Sequence, residues 1–267
     1  MSGFSADWLT LREPYDHAAR DKVLVKRFAK ILSGLDKTDL RILDLASGTG
    51  STVRAIASQI STDHFWTLTD FDEALLKEAA SAAASHANVE CKKTDLSATD
   101  ALSLESYSAV TTSAFLDLVS EEWLDAFTAL LTETPKPVYA ALSYDGRIAF
   151  SPGHDADDEI ISLVNEHQRT DKGFGPALGP DAGDFLSRRL GDNGWTVETA
   201  TSDWVFKGTD QRIQAELVKG WAQAALETAP EKGTTISAWH DARLNQIKSG
   251  ALQTRVGHID LLAHPPE

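Results

Sequence analysis

Short apolar runs and longer segments with helical spacing of apolar residues alternate along most of this chain. The apolar runs predict strands at 41–45, 65–69, 88–92, 107–111 and 137–143. The helical spacing predicts helices at 51–60, 72–85, 98–104, 121–133 and 181–193. Strands and helices that alternate in this way predict a parallel sheet with helices on both faces.

The two ends of the chain depart from this alternation. Residues 5–32 have helical periodicity around a break expected at Pro14. After Trp195, a strand-like stretch, WTVETATSDWVF, precedes two helical segments and a closing strand, at 208–229, 233–249 and 253–264. His258 and Asp260 alternate on that closing strand and are expected to be hydrogen-bonded structural groups. We expect a single domain over residues 1–267, made of a helical lid, a core, a loop insertion and a helical insertion at 1–36, 37–145, 146–180 and 208–249.

The composition narrows the class of protein and of partner. With 42% apolar residues, a chain of 267 residues can bury a sizeable core. A formal net charge of −15 and a pI of about 4.9 would repel a phosphate backbone, which argues against nucleic acid as the partner. The single cysteine, Cys91, excludes a disulfide within the chain and fits a reducing compartment. The sequence shows no signal pattern and no apolar run of roughly 18 residues, so we expect a cytoplasmic protein without a membrane span.

A glycine-rich turn joins the first predicted strand to the helix after it, in the stretch ILDLASGTG of residues 42–50. Such a turn brings backbone N–H groups and a helix N-terminus up to a ligand. A dinucleotide-binding loop would need a third glycine at the position where Val53 stands. The acid at the strand end, Asp44, would also be poorly placed beside a pyrophosphate, and it could alternatively serve only to cap the turn.

The segment from Asp44 to Gly50 resembles the first motif of the class I S-adenosylmethionine-dependent methyltransferases, which usually reads Asp/Glu-x-Gly-x-Gly-x-Gly. Ala46 stands at the first of these glycines, and alanine is small enough for the turn to be kept. The resemblance implies that S-adenosylmethionine is the cofactor and that Asp44, Ala46, Gly48 and Gly50 contribute to its binding.

The second-strand motif of the same family resembles WTLTDFDEALL, residues 66–76. The resemblance implies that Asp70 binds the ribose hydroxyls and that Phe71 lies against the adenine. A carboxylate suits a vicinal diol because it can accept two hydrogen bonds. A Rossmann fold that binds NAD also places an acid at this point, so Asp70 alone does not separate the two cofactors.

Two further motifs follow in the family's order. CKKTDLS, residues 91–97, resembles the third-strand motif, in which Asp95 would take the adenine amino group and the Leu96 amide a ring nitrogen. Asp95 could instead cap a short helix that follows it. AVTTSAFLDLVS, residues 109–120, resembles the fourth-strand motif, which implies that Ser113 lies beside the methionine portion of the cofactor.

The N-terminal segment DWLTLREPYDHAARD contains candidates for binding the cofactor's carboxylate. In many small-molecule methyltransferases such a helix folds over the cofactor and provides an arginine or a tyrosine. The resemblance therefore implies Tyr15 and Arg20, with Arg12 behind them. The alternative is that Arg12, Asp16 and Arg20 form a solvated ladder of salt bridges, worth roughly a few tenths of a kcal/mol per pair.

The segment 146–180 is where the resembled family varies its acceptor pocket. It gathers basic side chains in an otherwise acidic chain, among them Arg147, His154, His167, Arg169 and Lys172. A polar loop with fixed Gly and Pro turns suits ligand binding, although a solvated surface loop would have the same composition. The sequence contains no His-x-x-x-His motif or cysteine cluster there, so we predict no metal site.

Methyl transfer from a sulfonium is an in-line displacement with an activated leaving group, so an enzyme mainly has to align the nucleophile and exclude water. A general base is needed only if the acceptor must lose a proton. The candidates for that base are, in order, Asp117, His17, His154 and His167. Asp117 follows the fourth strand, but it could equally cap the helix that starts near Ser120.

Together these features predict an α/β fold with a Rossmann-like, seven-stranded, mostly parallel sheet, helices on both faces, an N-terminal helical lid and a helical insertion near the C-terminus. The predicted function is S-adenosylmethionine-dependent methyl transfer to a small-molecule acceptor. Two alternatives stay open: an NAD-dependent oxidoreductase, and a non-catalytic protein that binds S-adenosylmethionine in a pocket closed off by the loop at 145–180. The sequence does not set the oligomeric state.

Overall fold

The computed structural model describes residues 5–97, 99 and 102–266. Part of the helix expected at 98–104 lies outside the described residues, and residues 102–104 are not helical. The helices that are described are α1 Ala6–Ala19, α2 Lys22–Ser33, α3 Ser51–Ile56, α4 Glu73–Ala83, α5 Glu121–Glu133, α6 Asp157–Gln168, α7 Ala182–Asp192, α8 Gln211–Thr228 and α9 Gly233–Lys248. None of the helices within these ranges is long and apolar enough to cross a membrane.

The strands of the described residues form one sheet. Their bounds are β1 Leu40–Leu45, β2 His64–Asp70, β3 Asn88–Lys93, β4 Ala109–Ser113, β5 Val138–Ser151, β6 Thr196–Thr201, β7 Trp204–Phe206 and β8 Gln253–His264. Their order is β3-β2-β1-β4-β5-β8-β6, and β7 also pairs with β8. The first five strands in that order are parallel, whereas β8 runs antiparallel to its neighbours. This arrangement confirms the mostly parallel sheet.

The stretch after Trp195 forms two strands rather than the single strand expected, so the sheet has eight strands among the described residues instead of seven. The chain leaves the sheet at Ser202 and Asp203, between β6 and β7. The Asp203 carboxylate accepts hydrogen bonds from Arg147 Nη2 at 2.8 Å and from Arg255 Nη1 at 3.0 Å. These bonds hold the break in place, and the short β7 then pairs with the opposite end of β8.

Apolar side chains fill both faces of the sheet. On one face, α2, α3 and α4 pack on β1 and β2 around Phe28, Val53 and Trp66. On the other face, α5 and α7 pack around Phe127 and Leu186. A third apolar core joins α6, α8 and α9 to the far halves of β5 and β8, with Tyr144, Ile148, Val256, Phe206 and Trp239 among its members. The helical insertion is thus packed against the far halves of β5 and β8.

The N-terminal helical region breaks at a different place from the one expected. The helix α1 continues through Pro14 to Ala19, because an internal proline removes only one helical N–H bond. The chain turns at Arg20 instead, since the Asp21 carboxylate accepts the N–H groups of Val23 at 2.9 Å and Leu24 at 2.8 Å. This N-cap starts α2 and fixes the point at which the two helices separate.

The strand β5 is twice as long as expected, since it continues to Ser151 rather than ending near 143. The first residues of the expected loop insertion, 146–151, are therefore strand. The pairing with β8 is irregular around Leu142, which has a left-handed φ of 57°. Asp260 on β8 stabilises this irregularity, because its Oδ1 accepts the Leu142 N–H at 2.9 Å and its Oδ2 accepts the Tyr139 hydroxyl at 2.8 Å.

Two glycines of the helical insertion give opposite predictions. A Cβ at Gly208 would lie 1.9 Å from the Gly250 carbonyl oxygen, so Gly208→Ala must move backbone and should lower the free energy of unfolding by ~2 kcal/mol or more. A Cβ at Gly220, inside α8, would meet nothing within 4 Å, so Gly220→Ala should raise it by ~1 kcal/mol. Urea unfolding of both variants checks the pair, and equal changes in the same direction would contradict the close approach described here.

Candidate functional site

A cavity of about 690 Å³ lies at the carboxyl ends of β1 to β4, beneath α1 and the segment that follows α6. This volume is within the roughly 300–1,000 Å³ of small-molecule sites. Of the residues expected to bind a cofactor, those that line the cavity are Arg20, Ala46, Gly48, Asp70, Phe71, Asp95, Leu96 and Ser113. Of the four candidate bases, only His167 lines it.

The glycine turn follows β1 in an unusual backbone conformation. Ala46, Gly48 and Gly50 have left-handed φ values of 50°, 53° and 79°. A left-handed conformation costs a residue with a Cβ roughly 1–2 kcal/mol, which explains the glycine usual at the position of Ala46. A Cβ at Gly48 would lie 3.1 Å from Leu9 Cδ1, so this glycine lets α1 approach the turn.

Gly50 has a different role from that of a ligand contact. It does not line the cavity, and a Cβ at this position would lie 3.3 Å from Leu68 Cδ1 and 3.4 Å from Ala79 Cβ. Gly50 therefore permits close packing of the turn on β2 and α4. Dinucleotide folds use their third glycine for packing of the same kind, helix against strand.

Asp70 ends β2 and ties the turn to it. Its Oδ2 accepts the Gly48 N–H at 2.9 Å and its Oδ1 accepts the Asp72 N–H at 3.0 Å. Each carboxylate oxygen can accept a further bond from a ligand hydroxyl. The next residue, Phe71, is 40% exposed and lines the same cavity, so one face of its ring is free to stack on a planar ligand.

Asp95 and Leu96 form the far wall of this half of the cavity. Asp95 is exposed, and its Oδ1 accepts the Ser97 N–H at 2.9 Å, which holds the pKa of this carboxyl below its usual value. Leu96 is buried, and its carbonyl accepts the Trp123 indole N–H at 2.7 Å. The loop after β3 is thereby anchored to α5.

Arg20 is a buried cation whose donors are mostly unused. Its Nη2 donates to Ser113 Oγ at 2.8 Å, whereas Nε and Nη1 have no partner among the described residues. Arg20 is 5% exposed and lines the cavity. Because an unpartnered buried donor costs about 1–3 kcal/mol, this guanidinium is well suited to bind an anion.

Arg12 and Asp16 do not form the solvated ladder considered above. Both are buried, and Arg12 Nε donates to Asp16 Oδ2 at 2.9 Å. The Arg12 guanidinium also lies over the Trp204 ring, 4.8 Å from its centroid, and the Trp204 indole N–H donates to Asp16 Oδ1 at 3.0 Å. Arg20 is not part of this ion pair. The pair lines the cavity, so it belongs to the site.

Tyr15 is a correction to the expected carboxylate-binding pair. Its hydroxyl donates to Asp210 Oδ1 at 2.9 Å and its ring packs on Phe206, so it does not line the cavity. On α1 the cavity-facing residues are Leu9, Arg12 and Asp16, with helical spacings of three and four. Tyr15 falls beside this stripe and faces the start of α8.

Asp44 lies beneath the turn and not in the cavity. It is fully buried, its Oδ1 accepts the Thr111 hydroxyl at 2.7 Å, and its Oδ2 has no partner among the described residues. Burial raises the pKa of this carboxyl to about 7. The carboxyl is therefore close to half-protonated at neutral pH, unlike an exposed aspartate.

Three of the four candidate bases lie away from the cavity. Asp117 is buried behind it, and burial raises the pKa of its carboxyl to about 6. His17 Nε2 is 3.0 Å from Ser51 Oγ, on the outer side of α1, and burial lowers the pKa of this imidazole. His154 accepts the Ala156 N–H at 3.1 Å in the turn before α6. The geometry gives none of these three direct access to a ligand in the cavity.

His167 is held from two sides at the end of α6. Its Nε2 lies 2.9 Å from Glu227 Oε2, and its Nδ1 lies 3.4 Å from Lys172 Nζ. These contacts assign the N–H to Nε2 and leave the Nδ1 lone pair toward Lys172. Glu227 belongs to α8 and lines the cavity, as does Lys172. Sequence reasoning missed Glu227 because it lies 60 residues from His167 and no local motif marks it.

Part of the chain matches a known protein family. Residues 42–137 match the family model described as "Methyltransferase domain". This match includes the glycine turn and the ends of β1 to β4, which contribute residues to the cavity lining. No curated protein matches the chain in sequence.

Solved structures resemble the whole chain in fold. A putative methyltransferase from Bacillus halodurans C-125 is 17% identical, with a TM-score of 0.53 over 91% of this chain and 99% of that one. The YcgJ protein from Bacillus subtilis is 12% identical, with a TM-score of 0.51 over 92% and 100%. The mycolic acid cyclopropane synthase CmaA1, solved with SAH and CTAB, is 14% identical, with a TM-score of 0.51 over 98% and 94%. At these identities the likeness is one of fold.

The raised pKa of Asp44 predicts an unusual pH dependence of stability. In the unfolded chain its pKa is about 3.9, and the folded value is about 7. Unfolding therefore releases a proton between these values, so the Asp44 contribution to stability falls as the pH rises through this window and is constant above it. Asp44→Asn removes the penalty, and its free energy of unfolding relative to wild type should rise by ~2–3 kcal/mol between about pH 5 and about pH 8.

Urea unfolding at several pH values measures this difference. Asp36→Asn, at an exposed carboxyl before β1, is the control for the loss of one surface charge. Parallel pH profiles of wild type and Asp44→Asn would contradict the buried, partly protonated carboxyl.

Proposed function

We propose that this chain is a class I S-adenosylmethionine-dependent methyltransferase that transfers the cofactor's methyl group to a small-molecule acceptor. The observation that carries the proposal is Arg20, a buried guanidinium that lines the cavity with two nitrogens lacking partners among the described residues. The carboxylate of S-adenosylmethionine is an anion that would give this buried cation an acceptor of opposite charge.

The other residues of the cavity support the same cofactor. Asp70 has spare acceptor capacity for two ribose hydroxyls, and Phe71 offers an exposed ring face for the adenine. Asp95 and the Leu96 amide would bind the edge of the base, and Ser113 would lie with Arg20 at the methionine end. From the end of β3 to the end of β4, these groups follow the order of adenine, ribose and methionine along the cofactor.

When bound, the cofactor supplies a methyl group on a sulfonium. The chain aligns the acceptor and excludes water, which are the main requirements of an in-line displacement. Apolar side chains line the part of the cavity next to Ser113, namely Leu9, Phe115, Leu118 and Phe174. These apolar side chains would exclude water from the region in which the nucleophile approaches the methyl carbon.

For an acceptor that must lose a proton, we assign the base to His167. It is the only one of the four candidates that lines the cavity. Its Nε2–H donates to Glu227, so the carboxylate would orient the ring and stabilise the imidazolium. Nδ1 would take the proton after its contact with Lys172 Nζ, at 3.4 Å, is released. Asp117 has an Oδ1 without a partner among the described residues, but it does not line the cavity.

The dimensions and charge of the site favour a small acceptor. The cavity is roofed by α1 and by the segment after α6, and its volume of about 690 Å³ must also hold the cofactor. A net charge of −15 disfavours RNA or DNA.

Both alternatives are less well supported. Dinucleotide binding is disfavoured by Asp44 beneath the turn and by the methyltransferase family match over residues 42–137. A non-catalytic binding protein should have a pocket closed off by the loop at 145–180. Residues 167 and 170–174 of that loop do line the cavity, and the feature that favours an acceptor beside the cofactor is the volume of about 690 Å³.

Calorimetric titration with S-adenosylhomocysteine, with NADH in a parallel titration, tests the cofactor. We expect micromolar binding of S-adenosylhomocysteine and no binding of NADH. Binding of NADH alone would overturn the proposal.

Arg20→Gln should weaken S-adenosylhomocysteine binding by about 10- to 100-fold, because it removes a charge-assisted hydrogen bond worth ~1.5–3 kcal/mol. Arg27→Gln, at a half-exposed side chain on the outer face of α2, should leave the affinity within about twofold. Circular dichroism melting of both variants confirms that they fold. An unchanged affinity in a folded Arg20→Gln would show that this arginine does not bind the cofactor.

A further inference from the structure

Part of the cavity lining comes from Arg12, Leu118, His167, Lys172 and Phe174, and we call this part the acceptor half. Three carboxylates also reach it, those of Asp16, Asp171 and Glu227. Which of these charged groups already has a partner within the chain decides what kind of ligand this half can attract.

The carboxylates are largely occupied by donors of the chain. Asp16 accepts from Arg12 at both oxygens and from the Trp204 indole. Glu227 accepts from Gln223 at Oε1, at 2.7 Å, and from His167 at Oε2, at 2.9 Å. Both acids therefore already accept hydrogen bonds from donors of the chain at each of their oxygens.

Asp171 is occupied in a different way, by the backbone of its own turn. Its Oδ1 accepts the N–H groups of Gly173 at 2.6 Å and of Gly175 at 3.1 Å. Both glycines have left-handed φ values, of 100° and 82°. The carboxylate thus fixes the turn that carries Lys172 and Phe174 to the cavity wall.

The cations are not occupied to the same degree. Lys172 Nζ contacts only neutral groups: the His167 carbonyl at 3.0 Å, the Thr170 hydroxyl at 2.8 Å and the His167 ring at 3.4 Å. It forms no ion pair with a carboxylate of the described residues, unlike Arg12, whose Nε and Nη2 bind Asp16.

Lys172 is also partly removed from water. Burial lowers the pKa of its ammonium group, more than Glu227 and Asp117 raise it. A half-buried ammonium without a counterion is energetically unfavourable, and a ligand anion would relieve that cost.

We propose that Lys172 binds a carboxylate of the acceptor, so that the enzyme selects small molecules with an apolar body and one acidic group. This inference rests on the proposed function, because it identifies the chemical class of its acceptor. Phe115 and Phe174 pack edge to face, 5.3 Å between centroids, and with Leu118 they form the apolar surface that such a body would contact. A monoanion matches one ammonium, whereas a dianionic phosphate would leave a charge uncompensated in a chain of net charge −15.

The test uses the protein saturated with S-adenosylhomocysteine, so that only the acceptor half is free. Calorimetry compares a set of carboxylates, from acetate to 3-phenylpropionate, each with its neutral primary amide, and includes phenyl phosphate. We expect at least one carboxylate with an apolar body to bind about tenfold more tightly than its amide. In Lys172→Gln that preference should fall to within about twofold, while the affinity for S-adenosylhomocysteine is unchanged.

Lys136→Gln is the matched control, because Lys136 is also half-buried with a pKa lowered by burial and also forms no ion pair among the described residues. It lies just before β5, near the amino ends of the parallel strands, whereas the cavity lies at their carboxyl ends. This variant should keep the full preference for the carboxylate. A preference lost equally in both variants would overturn the assignment to Lys172.

Three further outcomes would also overturn the inference. These are the absence of any carboxylate that binds more tightly than its amide, an unchanged preference in Lys172→Gln, and tighter binding of phenyl phosphate than of every carboxylate. None of them would affect the cofactor assignment, which fails separately if S-adenosylhomocysteine does not bind the wild-type protein.

Discussion

The site depends on one buried carboxylate, that of Asp260 on β8. It accepts the Tyr139 hydroxyl and the Leu142 N–H from β5, and the Asp21 N–H from the start of α2. A buried carboxylate is stable only when such donors replace its lost water. These three bonds fix the place where α1 ends and α2 begins, and the residue at that place is Arg20. The Arg20 cation that lines the cavity is therefore positioned by β8.

Much of the fold could be predicted because its signals are local. Parallel strands buried on both faces are continuous apolar runs, and the glycine turn and its acids stand at strand ends that must meet at one edge of the sheet. The length of β5 could not be predicted, since Asp145 and Gly146 are residues typical of a turn and the residues after them are held as strand by pairing with β8. The end of α1 could not be predicted either. The N-cap at Asp21, and not Pro14, determines where α1 ends and α2 begins.

The cavity-lining residues at the ends of the strands could be predicted more readily from the sequence than those of the acceptor half. The residues at or just after strand ends are Ala46, Gly48, Asp70 and Ser113. Their positions in the fold therefore follow from the positions of the predicted strands. Lys172, His167 and Glu227 meet only because α6 and α8 pack on each other, which no periodicity indicates. Tyr15 illustrates a different error. The helix α1 was predicted, but the Tyr15 side chain lies on the side of α1 that faces Asp210 and not the cavity.

The position of β8 between β5 and β6 has a consequence for folding. The Asp260 carboxylate that holds the start of α2 is separated from Asp21 by 239 residues. The parallel strands β1 to β4 can pair without it, but the bond to Asp21 forms only after β8 has joined the sheet. Contacts of such long range slow folding, so we expect α1 and α2 to be secured over the cavity late in the folding reaction.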